Sequence, residues 1–411
     1  MKKSRQVRAI EYKNSFNGTK LLAAFGLFLA VAAFCITASN VYDARAPGLA
    51  LKLFPANGFA LANKAQSKLE SESSGLGDQF DPKASEEVAA LSLEAFALEP
   101  LSVRAVRNLA LRVNTQDGSD AAAPVMNQAS RLSRRDLVVN LWLMAYLAKK
   151  GEVQEGARQL DYALRVRRSI QRPILESVVR GLPLKENEDL IVDLLSENPP
   201  WATTFLQMGR EQSDRAREVA RVVQRARISN ELMPRGFEAD ILRNLVAAKA
   251  FREAFTLKAY FSGDKSEDRR NPDLRWSAEY PPLDWQLIST GETIVNLDSK
   301  RGELQLDINA GREVQLARRL VQLDKGPYRV TSFVTPASTG AQSLPHIEIS
   351  CAENEGRGAA RFFYDTSGSI EAEFRPASAC DFYWVSVAWA PRDRNDRFSG
   401  SLSYIRLDRA R

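Results

Sequence analysis

The side chains that do most of the usual chemistry are scarce here. The chain holds one histidine, His346, and three cysteines, Cys35, Cys351 and Cys380. A Ser-His-Asp or Cys-His nucleophile, a histidine-rich zinc site or a histidine phosphotransfer pair would each have to run through that one imidazole. His346 follows Pro345 at the head of a strand-like run, HIEISC, where a surface or edge histidine is expected. Glycoside hydrolysis needs two acids about 5–10 Å apart in a cleft. Glu348, Glu371, Glu373 and Asp381 could supply them, yet their spacing singles out no pair. There is no Walker loop, no GxGxxG and no GxSxG. The chain is not expected to be an enzyme, and no cofactor or metal is expected.

Two further groups suggest binding. Trp276, Trp285, Trp384 and Trp389 crowd the C-terminal third. Aromatic faces can stack on sugar rings, so Trp276 and Trp285, which flank YPPLDW, are candidates for a ligand platform. Their competing role is to seal this region against a preceding helix, and Trp384 and Trp389 read as core. Arg217, Arg221 and Arg225 recur every fourth residue and so share one helix face. Asp214 and Glu218 interleave with them, which favours ion pairing along a solvated face over a polyanion site. Net charge is +6, part of it in the N-terminal tail, and nucleic acid is not an expected partner.

The elements that would position these groups begin with Leu21–Ala38, LLAAFGLFLAVAAFCITA, an uncharged stretch near the ~17–25 residues a spanning helix needs. Lys2, Lys3, Arg5, Arg8, Lys13 and Lys20 precede it against one acid, Glu11. Basic flanks resist translocation, so residues 1–20 read as a cytoplasmic tail and the bulk as exported. An uncleaved anchor over 21–40 is the expected reading, and a cleaved signal peptide is the alternative. In an oxidising compartment Cys351 and Cys380 are expected to pair, with two buried thiols as the alternative. Residues 41–85 read as a membrane-proximal helical segment and loop.

From 86 to 262 apolar residues recur at three and four, the helical period. Ala95, Ala129 and Ala163 lie 34 residues apart in matched contexts, and small residues there let paired helices approach closely. The clearest unit, Asp136–Arg168, places Gly151 at a helix–helix turn and Gly156 at a small position of the second helix. Leu143, Leu147, Leu160 and Leu164 fall on packing positions. Pro100 closes the first unit. After a charged linker, 263–275, the pattern over 276–411 changes to about ten short alternating runs, the pattern of an antiparallel β-sandwich of jelly-roll type.

The 34-residue units resemble tetratricopeptide repeats. The GPYRVTSFV and SGSLSYIRLD runs resemble strands of jelly-roll carbohydrate-binding modules. The order of anchor, repeats and sandwich resembles single-pass membrane proteins of Gram-negative envelope and exopolysaccharide systems. That resemblance implies a non-enzymatic periplasmic scaffold held in the inner membrane, with envelope proteins bound through the solenoid. A carbohydrate-binding protein acting through the sandwich, with polysaccharide as ligand, is the alternative, and a polysaccharide-active enzyme a more remote one.

Overall fold

The computed structural model describes residues 3–73, 84–263, 272–274, 279–337, 343–354 and 359–410, with only the backbone described for 3–20 and Asn230. The chain divides into two compact units, Met1–Arg168 and Ser169–Arg411. The helical region is therefore shared between the units, and its later helices cluster with the sandwich.

The first unit opens with α1 (Lys3–Tyr42), whose Leu21–Tyr42 portion is apolar enough to cross a membrane and, apart from Ser39 near its end, is not buried by the rest of the unit. This fits a single-pass anchor or a signal peptide. Then come α2 (Pro47–Leu53), α3 (Gly58–Ser73), α4 (Glu86–Leu98), α5 (Val103–Asp117), α6 (Ser119–Leu132), α7 (Leu137–Lys149) and α8 (Val153–Val166). Side-chain oxygens of Ser85, Ser102 and Asp136 accept from Val88, Ala105 and Val139 amides, which starts α4, α5 and α7. Gly118 at φ +86° and Gly151 at φ +80° supply the left-handed turns within the α5/α6 and α7/α8 hairpins. Helices pack in the pairs α3/α4, α5/α6 and α7/α8. Arg107 on α5 is buried, ion-pairs with Asp136 at 2.7 Å and also hydrogen-bonds Gln66 of α3. One guanidinium thus ties three successive pairs together, and a buried charge is tolerated there because it is paired.

The second unit contains α9 (Arg168–Gly181), α10 (Lys185–Ser196), α11 (Ala202–Glu211), α12 (Ala216–Ala226), α13 (Phe237–Ala247) and α14 (Phe251–Ser262). Among the described residues ten strands follow: β1 (Gln286–Leu287), β2 (Thr293–Asp298), β3 (Glu303–Ile308), β4 (Val314–Gln322), β5 (Tyr328–Pro336), β6 (His346–Cys351), β7 (Ala360–Phe363), β8 (Ser369–Phe374), β9 (Phe382–Trp389) and β10 (Phe398–Arg409). They form two antiparallel sheets, ordered β1-β4-β9-β6-β7 and β2-β3-β10-β5-β8. Strands β3 to β10 exchange between the sheets in the order of a jelly roll. The core between them holds Trp285, Leu316, Val330, Ile347, Val387 and Trp389, among others. Cys351, at the end of β6, is disulfide-bonded to Cys380, just before β9, with Cα atoms 6.0 Å apart. That bond suits an oxidising compartment.

Within this unit the sandwich is clamped to the last helices. Phe382 stacks on Phe255 and meets Phe251 of α14 at a tilt, Lys258 pairs with buried Asp284 at 2.6 Å, and the Tyr280 hydroxyl donates to Glu238 at 2.8 Å.

Candidate functional site

Two places concentrate functional groups, and strand alternation builds the first. In β9, Tyr383, Val385, Val387 and Trp389 enter the core, so Phe382, Trp384, Ser386 and Ala388 face outward. In β6, Ile347, Ile349 and Cys351 go inward, so His346, Glu348 and Ser350 share that outer face. Register brings Arg361 of β7, Glu348 of β6, Ser386 of β9 and Arg318 of β4 into one row. Gln315 donates to the Ser386 hydroxyl at 2.9 Å. Arg318 donates to Gln286 at 2.8 Å and lies 4.7 Å over the Trp384 ring.

His346 sits beside this row and is only 1% exposed. The expectation of a surface or edge histidine is corrected here. β7 covers one flank, and the ring stacks on Phe363 at 5.2 Å, a residue itself 66% exposed. His346 Nε2 has no hydrogen-bond partner among the described residues. Burial, then the nearby Arg361 charge, holds its pKa below the ordinary imidazole value, so the ring is neutral at pH 7. Glu313 and Glu348 bring carboxylate oxygens within 4.8 Å of it, a ligand set that could hold a divalent ion. Arg361 already pairs with Glu313 at 2.9 Å and Glu348 at 3.8 Å, so a guanidinium takes the place a cation would fill. The Cys351–Glu353–Cys380 group offers no thiolate, because its sulfurs are joined.

Trp285 is not a ligand platform. It is 1% exposed, lies in the sandwich core, and its Nε1 donates to Pro272 O at 3.2 Å. Trp276 lies outside the described residues. Trp389 is core, while Trp384 faces outward under Arg318 rather than into the core. The described tryptophans therefore do not form coplanar exposed rings. Glu371 and Glu373 lie on the opposite sheet from Glu348 and pair with Arg329 and Arg375. They form no catalytic couple with it.

The second place is the junction between α1 and the helical pairs. Ser39 is fully buried and donates to Ala50 O of α2 at 2.8 Å. Asn57 donates to Ser39 Oγ at 2.8 Å and to Asn40 Oδ1 at 3.1 Å, and accepts from the Ala60 amide at 2.9 Å. Asn63 donates to Asp43 O at 2.9 Å. The last turn of the apolar helix is thus locked to α2 and α3. Sequence reading missed this lock, because its partners lie 11 to 20 residues apart and polar residues near a span end carry no local pattern.

Ala95, Ala129 and Ala163 are fully buried, one on the second helix of each pair. A Cβ on Gly156 would stand 3.3 Å from Met144 O of α7, so glycine permits that close crossing. Pro100 is exposed in the turn between α4 and α5. In the second unit the arginine stripe bridges two helices. Glu188 of α10 accepts from Arg221 at 2.9 Å and Arg225 at 2.9 Å. Its partial burial raises its pKa, and those two hydrogen bonds outweigh that and hold it below the usual glutamate value. Arg217, Arg221, Arg252 and Glu253 line an open groove of ≈ 500 Å³ between α12 and α14.

No protein-family model matches the chain, and comparison with curated proteins finds no match.

Proposed function

We propose that the chain is a membrane-anchored, non-enzymatic scaffold. Its N-terminus is cytoplasmic and its bulk lies in the periplasm of a Gram-negative cell. Tetratricopeptide-like helix pairs bind a partner protein there, in envelope assembly or exopolysaccharide export. The observation that carries this reading is the Ser39–Asn57 lock. A cleavable leader leaves its protein, whereas here Ser39, in the span's last turn, is buried and hydrogen-bonded to Ala50 O and Asn57 of the first unit. The basic residues before the span and the disulfide support the same orientation.

The test is cross-linking in intact cells followed by purification of the full chain and identification of what comes with it. An envelope protein cross-linked to α3–α8 supports the reading. A chain that recovers no envelope protein, and leaves its membrane as a shortened soluble form, contradicts it.

A second reading, a glycan-binding sandwich, draws on Trp384 beside Gln315, Ser386 and Gln286. It requires Arg318 to leave the ring. Polysaccharide binding by the full chain that Trp384→Ala abolishes would favour it.

A further inference from the structure

The end of the first unit that holds the lock also exposes a patch of large apolar side chains. Leu49 is 45% exposed, Phe59 45% and Leu101 68%. They are far apart in sequence, yet Phe59 and Leu101 share a groove and Leu49 is tied to the same end through Ser39. Asn57, bonded to Ser39 and Asn40, immediately precedes Gly58 and Phe59. Gly58 lies so close to the end of α4 that a Cβ there would stand 2.6 Å from Glu99 Cβ. Phe59 and Leu101 line one shallow groove, together with Arg104. Leu49 lies on α2, one residue before the Ala50 carbonyl that Ser39 bonds.

Depth fixes what surrounds this patch. The apolar segment has 22 residues, about 33 Å at 1.5 Å per residue, against a hydrocarbon thickness of about 30 Å. Ser39 lies less than one turn from its end. Whatever is hydrogen-bonded to Ser39 and Asn40 therefore sits at the level of the lipid headgroups. Cations share this end. Arg45 and Lys52 are exposed on and before α2, and Arg104 is exposed beside the groove, its guanidinium hydrogen-bonded to Asn63, which itself bonds Asp43 O. The carboxylates there, Asp43, Glu99 and Asp136, are less exposed, and Asp136 is paired with Arg107. Apolar side chains under a rim of cations match the interfacial layer, where acyl boundary and phosphates lie within a few ångströms.

We propose that this end of the helical unit rests on the bilayer. Leu49, Phe59 and Leu101 enter the interfacial layer, and Arg45, Lys52 and Arg104 face lipid phosphates. The inference depends on the anchor reading. It turns the span from a loose tether into a mount that fixes the first helix pairs against the leaflet where the span ends.

The test uses the full chain in vesicles of phosphatidylethanolamine and phosphatidylglycerol. Single cysteines are placed by Leu49→Cys, Phe59→Cys, Leu101→Cys, Phe28→Cys and Leu184→Cys, in a Cys35→Ala background with the disulfide left oxidised. Each carries an environment-sensitive fluorophore, and spin-labelled lipids act as quenchers. Shallow quenchers are expected to reduce emission at positions 49, 59 and 101 at least about two-fold more than at position 184, and deep quenchers to reduce it at position 28. Quenching at 28 with none above the position-184 level at 49, 59 and 101 overturns the proposal while sparing the anchor. A blue shift at 49, 59 and 101 without quenching means a protein covers the patch, which also overturns it. No quenching at 28 removes the anchor and this inference together.

Discussion

Asn57→Ala tests whether the span is built into the helical unit. The substitution removes the cap on the Ala60 amide and the two donations to Ser39 and Asn40. An N-cap contributes about 1 kcal/mol and each buried hydrogen bond about another 1 kcal/mol, so opening of the junction becomes easier by about 3 kcal/mol. That corresponds to roughly a 100-fold rise in the open population. Hydrogen–deuterium exchange on the full chain in nanodiscs reads this directly. Peptides covering Ser39–Leu61 are expected to exchange about 100-fold faster than in the wild type, by the same conversion, while sandwich peptides stay unchanged. Asn57→Asp keeps an acceptor for the cap but cannot donate, and falls between the two. Exchange in Asn57→Ala within about two-fold of wild type would refute the reasoning, because the contacts would then add almost nothing to local stability.

Three further outcomes follow from the same structure. Gly151→Ala forces a Cβ into a φ of +80° and should destabilise the first unit by about 1–2 kcal/mol, visible as a lower thermal midpoint. Reducing Cys351–Cys380, separated by 29 residues, should cost the second unit about 3–4 kcal/mol, and equal denaturant midpoints with and without reductant would argue against that. Glu188 has its folded pKa below its unfolded value, so its contribution is present above the unfolded glutamate pKa and fades as pH falls through the folded one. Melting against pH should therefore show a steeper acid-side decline in the wild type than in Glu188→Gln.

Periodicity carried much of the architecture. The ten described strands fall within residues 276–411, the region read as short alternating runs, because a strand with one buried face must alternate. The buried alanines at 95, 129 and 163 were visible as a spacing, since close helix crossings exclude larger side chains. The sites were less legible. Strand alternation says that His346 and Glu348 share a face, but it cannot say that Phe363 and Arg361 cover them. Those two come from β7, placed alongside by sheet pairing. Trp285 looked like a platform because its neighbours are prolines and a charge. Its burial depends on residues 272–274, which close over it from outside the strand. The Ser39–Asn57 lock leaves no periodic trace, since a buried serine and asparagine are defined by their partners rather than by their spacing.

The retained span is the claim on which the scaffold reading rests, and mass spectrometry of the protein extracted from membranes tests it most directly. The predicted result is one membrane-bound chain that yields both the peptide Asn14–Lys20, from before the span, and peptides from the sandwich. A sandwich-bearing chain that begins after Ala38, found in the soluble fraction without the 14–20 peptide, would contradict it.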